Sequence, residues 1–167
     1  KQLLLTDDMR EVFHIALVLN GHSPNTTKPE EIKQAYELLK TLMPNVLTFN
    51  SDAPREPFLA GDVSLGMIWS GEAVMAQEEE PAIQYIYPSE GAIFWVDSFA
   101  IPAGAKNVDE ALAFIDFMLR ADNAAACVEE IGYATANKEA LKLIEEDTRN
   151  NPAIFPSEET INAGFFQ

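Results

Sequence analysis

Short apolar runs alternate with segments of helical periodicity along this chain, and no other feature restricts its fold so strongly. Residues 2–6 (QLLLT), 46–49 (VLTF), 63–69 (VSLGMIW), 82–87 (AIQYIY) and 91–102 (GAIFWVDSFAIP) read as strands, bounded by Gly, Pro and Asn. Most gaps between them carry helical patterns. DDMREVFHIALVLNG has Asp8 as N-cap, Glu11 three residues on and Gly21 at its close. KPEEIKQAYELLKTLM is expected to be capped by Thr27, with Pro29 in its first turn and Pro44 as its stop. APREPFLAG reads as a short helical turn, and SGEAVMAQEEE, NVDEALAFIDFMLR, DNAAACVEEIG, NKEALKLIEED and SEETINAGFF as further helices, the last capped by Ser157. Strands separated by helices return in the same direction, so the expected class is α/β, a layered lobe with a mostly parallel sheet flanked by helices.

Charge narrows the partners. The 167 residues hold 27 acidic and 11 basic side chains, a net charge of −16. Nucleic acid is disfavoured, because its binding rests on Lys and Arg neutralising phosphates. An anionic membrane surface is disfavoured for the same reason. A cationic ligand suits such a field, although solubility alone also accounts for it. Cys127 is the only cysteine, so a disulfide within the chain and a Cys-based zinc site are excluded. Its helical surroundings predict a buried, inert thiol. No run reaches the length of a membrane span. The opening KQLLLTDD carries no secretory leader, and the close GFFQ reads as unfinished, so a fragment of a longer protein is expected.

Familiar catalytic signatures are missing. There is no P-loop, no GxGxxG and no GxSxG elbow. His14 and His22 stand eight apart, outside HExxH spacing, and His14 reads as a core histidine in an apolar helix. Asn25-Thr26-Thr27 matches a glycosylation sequon, but Thr27 as a helix cap explains it more simply.

Three constellations remain. Trp95 and Asp97 are two apart on an expected strand and leave the same face. The pair offers a π face and an ionised acceptor to a cation; the competing reading is a core Trp and an Asp that ends the strand. Asp8 and Glu11 share a helix start just past the first strand, where open α/β sheets bind ligands, but a simple capping box uses the same two residues. Trp69 closes the third strand in GMIWSG, either as core or as site. Together these make aromatic walls with spaced carboxylates, which suits separated ammonium groups joined by methylenes. An acid–base enzyme such as a glycosidase would use the same carboxylates, about 5 to 9.5 Å apart across the scissile bond.

LLLTDDMREVF, LMPNVLTFNSD, GMIWSG, GAIFWVDSFAIP and EEIGYAT together resemble the carboxy-terminal part of the spermidine/putrescine-binding proteins of bacterial ABC importers, from Leu3 to Gln167. The resemblance implies one lobe of a type II periplasmic-binding-protein fold, polyamine binding without catalysis or cofactor, and ABC permease subunits as partners. It implies a periplasmic or extracytoplasmic membrane-associated setting. By motif, Asp8 and Glu11 match an acidic pair for amino groups, and Trp69, Trp95 and Tyr133 match aromatics along the aliphatic chain. Asp97 matches a carboxylate on an amino nitrogen, and Gln167 a polar contact. Ser70 stands where many relatives have Asn, and Ala92 where many have Gly. A receptor of the same fold for another solute is the alternative. The resemblance also implies that 1–97 and 138–167 form the second lobe and that 98–137 packs with a first lobe absent here. An apolar face around Leu112, Ile115, Phe117 and Leu119 is then bared, and self-association of the fragment is expected.

Overall fold

The computed structural model describes residues 2–166. Its centre is β1 (Leu3–Leu5), flanked by β2 (Val46–Phe49) and β3 (Leu65–Gly66) in a parallel three-stranded sheet of order β2-β1-β3. Leu4 and Leu5 are buried, as a central strand covered on both faces requires. Between β1 and β2 run α1 (Met9–Leu19) and α2 (Pro29–Leu42). Leu5, Val12, Ala16, Leu17, Ala35, Leu39 and Val46 join sheet and helices in one core, with small Ala16 and Ala35 among them. Gly21, at φ 74°, ends α1: its N–H reaches Val18 O at 2.9 Å, and His22 N–H reaches Leu17 O at 2.9 Å. That pair of bonds is a Schellman motif, which needs a left-handed residue at this position.

After α3 (Glu56–Leu59) and β3, α4 (Ser70–Glu79) leads to a second core. Val74 of α4 packs there with Ala124, Ala125 and Val128 of α6 (Ala121–Ile131), and with Ala140, Ile144, Ala153 and Ile154. A second parallel sheet pairs β4 (Ile93–Phe94) with β5 (Phe165–Phe166), where the Phe94 and Phe166 rings lie 5.6 Å apart. α8 (Glu158–Ala163) precedes β5 and is capped by Ser157, whose Oγ accepts the Thr160 N–H at 3.1 Å.

Several expectations need correction. The third strand is confined to Leu65–Gly66, and the fifth to Ile93–Phe94. Residues 82–87 form no strand: their pattern suits one, but a strand exists only against a neighbour, and no described strand pairs with them. The helix expected over 137–147 is broken into a 3-10 turn (Ala140–Lys142) and α7 (Glu146–Arg149). Asn137 starts the turn, accepting the Glu139 and Ala140 N–H groups. The Glu129 carboxylate takes the Glu145 N–H at 2.7 Å and the Thr148 hydroxyl at 2.6 Å, which starts a separate helix there. Thr27 does not cap α2; Lys28 holds that position without a side-chain bond, and Thr26 Oγ1 accepts the Lys28 N–H. Cys127 is half-buried rather than sealed in.

α5 (Val108–Leu119) buries no residue, and Leu119 is 61% exposed. Its Phe114 meets only Phe99 edge to face, at 5.9 Å, among the described ring contacts. α6, the next helix, lies in the second core. No helix among the described residues is long and apolar enough to cross a membrane.

Candidate functional site

Asp8 fixes the start of α1. One of its carboxylate oxygens accepts the Arg10 N–H at 2.8 Å and the Glu11 N–H at 3.2 Å, satisfying two donors that the helix leaves open. Asp8 itself stays exposed, whereas Glu11 turns inward and is 8% exposed. Burying a carboxylate is costly unless charge or hydrogen bonds meet it, which makes Glu11 the residue to explain.

Glu11 lines a cavity of about 370 Å³ together with Trp69 and Trp95. Trp69 follows β3 and stands at the position that opens α4; its indole N–H donates to Ser51 O at 3.4 Å. Trp95 follows β4 and is 38% exposed. The two indoles meet edge to face, centroids 5.3 Å apart at 74°. That geometry suits the quadrupoles of both rings. Sequence reasoning missed Tyr85 and Tyr87, which also line the cavity, as does His14, buried as the core histidine expected. The two tyrosines were hidden in the expected strand 82–87, where their spacing of two was the available signal. They contact each other edge to face at 5.1 Å, burial raises both phenol pKa values, and the Tyr87 hydroxyl donates to Ala153 O at 3.0 Å. His14 is buried, and burial, then the Arg10 charge, hold its imidazole below the usual value, with Asp8 opposing.

Tyr133 is placed by glycine. α6 ends at Gly132, left-handed at φ 68°, and the chain then lays the Tyr133 ring on Gly71 in the first turn of α4. A β-carbon at position 71 would run into that ring and into the Ile131 carbonyl. Burial raises the Tyr133 phenol pKa, with further contributions from the charges of Glu72 and Asp97 and an opposing hydrogen bond from the Glu72 backbone. Asp97 is exposed.

The structure thus brings Glu11, Trp69 and Trp95 around one cavity, which neither Asp97 nor Tyr133 lines. Asp8 does not line that cavity; it lines a second one of about 280 Å³, beside Tyr36 and Phe49. Gln167 lies outside the described residues. Among the described residues, no lysine or arginine lines the larger cavity, and no group of three or more His, Cys, Asp or Glu side chains could hold a metal. Aromatic faces beside a carboxylate attract a positively charged, partly aliphatic ligand.

Comparison with known proteins agrees with this character. The profile of the bacterial extracellular solute-binding protein family matches residues 1–156. The spermidine/putrescine-binding periplasmic protein of Escherichia coli (strain K12) is 52% identical over 165 residues, covering 99% of this chain and 47% of its own length. A solved chain of Listeria monocytogenes, described under spermidine/putrescine ABC transport, has a TM-score of 0.92 at 34% identity over 99% of this chain and 51% of its own. The spermidine/putrescine ABC transporter substrate-binding protein of Streptococcus pneumoniae gives 0.80 at 32% identity, over 99% and 52%. This chain therefore spans about half the length of the curated relatives it matches. Its helix-flanked parallel sheets are those of a periplasmic-binding-protein lobe, and the likeness read from LLLTDDMREVF and GAIFWVDSFAIP is borne out. On these grounds the chain belongs to the bacterial extracellular solute-binding protein family.

Proposed function

We propose that this chain is half of a polyamine receptor serving an ABC importer outside the cytoplasm, and that it binds without catalysing. The observation that carries the reading is Glu11, a buried carboxylate lining a cavity walled by Trp69 and Trp95, with no lysine or arginine among the described lining residues. Putrescine and spermidine supply the matching chemistry: ammonium groups for Glu11, Asp97 and Asp8, and methylenes for the faces of Trp69, Trp95 and Tyr133. Gln167 adds a polar contact. The permease subunits engage the complete receptor. In that receptor, residues 98–119, with the unburied α5, pack on the other lobe, while α6 stays with α4.

Half a site binds weakly. Micromolar affinity requires about −8 kcal/mol, and the opposing wall is absent from this chain. Calorimetry with putrescine and spermidine, on this chain and on the complete receptor, tests the reading. Micromolar binding by the complete receptor and none measurable by the chain alone is expected. Tight binding by this chain alone refutes the half-site, and no binding by the complete receptor refutes the polyamine.

A further inference from the structure

With Lys28, not Thr27, at the cap of α2, the run Asn25-Thr26-Thr27 still needs a purpose. Asn25 lies between α1 and α2, and its side-chain amide is used at both ends. Its Oδ1 accepts from the Arg10 guanidinium, Nη2 to Oδ1 3.1 Å, and its Nδ2 donates to the Phe166 carbonyl at 3.0 Å. Arginine can only donate and a carbonyl oxygen can only accept, so a single orientation of the amide satisfies both. The Arg10 side chain is thereby drawn toward the α1–α2 loop and the end of β5, and it lines neither cavity.

That direction matters because Arg10 is badly placed for a cation receptor. It stands between Asp8 and Glu11 in sequence. His14, which lines the larger cavity with Glu11, is four residues on and shares the Arg10 face of α1. The Arg10 charge is felt there, since it helps to hold the His14 imidazole below its usual value. A guanidinium is always charged, and its paired donors match a carboxylate. Released from Asn25, it would compete with an incoming ammonium group for Asp8 and Glu11.

We propose that Asn25 is a specificity-determining residue of the cation site: by holding the Arg10 guanidinium on the loop side, it keeps that charge away from Asp8 and Glu11. Asn25 acts through Arg10 and is a positioning residue. Its two bonds can be separated by substitution. Aspartate at 25 keeps an acceptor for Arg10 but loses the donor to Phe166, whereas alanine loses both. The inference rests on the polyamine reading for the ligand, but not for where the Arg10 side chain is held.

Spermidine calorimetry on the complete receptor reads the effect on binding. Asn25→Ala is expected to weaken binding about threefold or more, and by less at high salt, because the released charge is then screened. Arg10→Gln in the Asn25→Ala background is expected to restore the affinity, and Asn25→Asp to lose none. Wild-type affinity in Asn25→Ala overturns the proposal. So does a loss that Arg10→Gln leaves in place or that Asn25→Asp shares, since either assigns the effect to the Phe166 bond. A second readout needs no ligand: nuclear magnetic resonance titration of His14 in this chain. Asn25→Ala is expected to lower the imidazole pKa further as the guanidinium comes nearer, and an unmoved pKa overturns the proposal. The two readings fail separately. No spermidine binding by the wild-type receptor, with the His14 shift present, refutes the polyamine only; spermidine binding without the shift or the loss refutes the role of Asn25 only.

Discussion

The Tyr133 ring occupies the space that a side chain at Gly71 would need, so the first turn of α4 and the end of α6 fit only with glycine between them. Gly71→Ala is expected to cost about 1 to 3 kcal/mol by overpacking and to move the Tyr133 ring. Urea unfolding measures the loss. Gly104→Ala serves as control, since nothing lies within 4 Å of its added carbon, and should be neutral.

Asp8 has a structural task and a proposed electrostatic one, and two substitutions separate them. Asp8→Ala removes the cap of α1 and should destabilise by about 1 kcal/mol. Asp8→Asn keeps a capping oxygen and should leave stability almost unchanged. If Asp8 pairs with an ammonium group, Asp8→Asn nonetheless weakens polyamine binding by the complete receptor. Unchanged affinity would leave Asp8 as a cap only.

Asp97 can be tested through Tyr133. Its negative charge helps raise the phenol pKa, so Asp97→Asn should lower that pKa in this chain, read by ultraviolet titration of the phenolate. In the complete receptor the same change removes a charge-assisted bond worth about 1.5 to 3 kcal/mol, which weakens polyamine binding at least tenfold. An unmoved phenol and an unmoved affinity would refute the role.

His14 sets a pH dependence with a definite sign. Burial lowers its folded-state pKa below the ordinary 6.5. Between the two values the unfolded chain holds more protons, so stability is full above about pH 6.5 and falls as pH drops through the folded pKa. Denaturation midpoints between pH 7.5 and 5 should show this fall, and His14→Gln should flatten it.

The bared face of α5 predicts self-association when the chain is alone. Phe114, Phe117 and Leu119 are all at least half exposed. Sedimentation should show mass rising with concentration, and Phe117→Glu should suppress the rise. A monomer at all concentrations would contradict the exposure of that face.

Local physics was legible in the sequence, and non-local completion was not. Asp8, Gly21 and Ser157 punctuate helices through bonds within a few residues, so their types and spacings gave them away. Thr27 misled because Thr26 turns the chain and Pro29 already sits at the first helical position. The break near residue 144 depends on Glu129, sixteen residues from Glu145 and on another helix. Residues 82–87 carry a strand's composition without a strand's partner. Of the candidate site residues, Glu11 and Trp69 were singled out by their position at strand ends and Trp95 by its pairing with Asp97, and all three line one cavity; His14 is buried as the core histidine expected and lines it too, and Asp8 lines a different one.

The β4–β5 ladder joins residues about seventy positions apart, held in part by the Phe165 N–H on Ala92 O at 2.8 Å. Closing so long a loop is entropically costly before any contact rewards it. The unit of β1, α1, α2 and β2, whose contacts are nearer in sequence, should fold earlier. The β4–β5 pairing then acts as a late clasp, engaged after the β1–β2 unit and released before it.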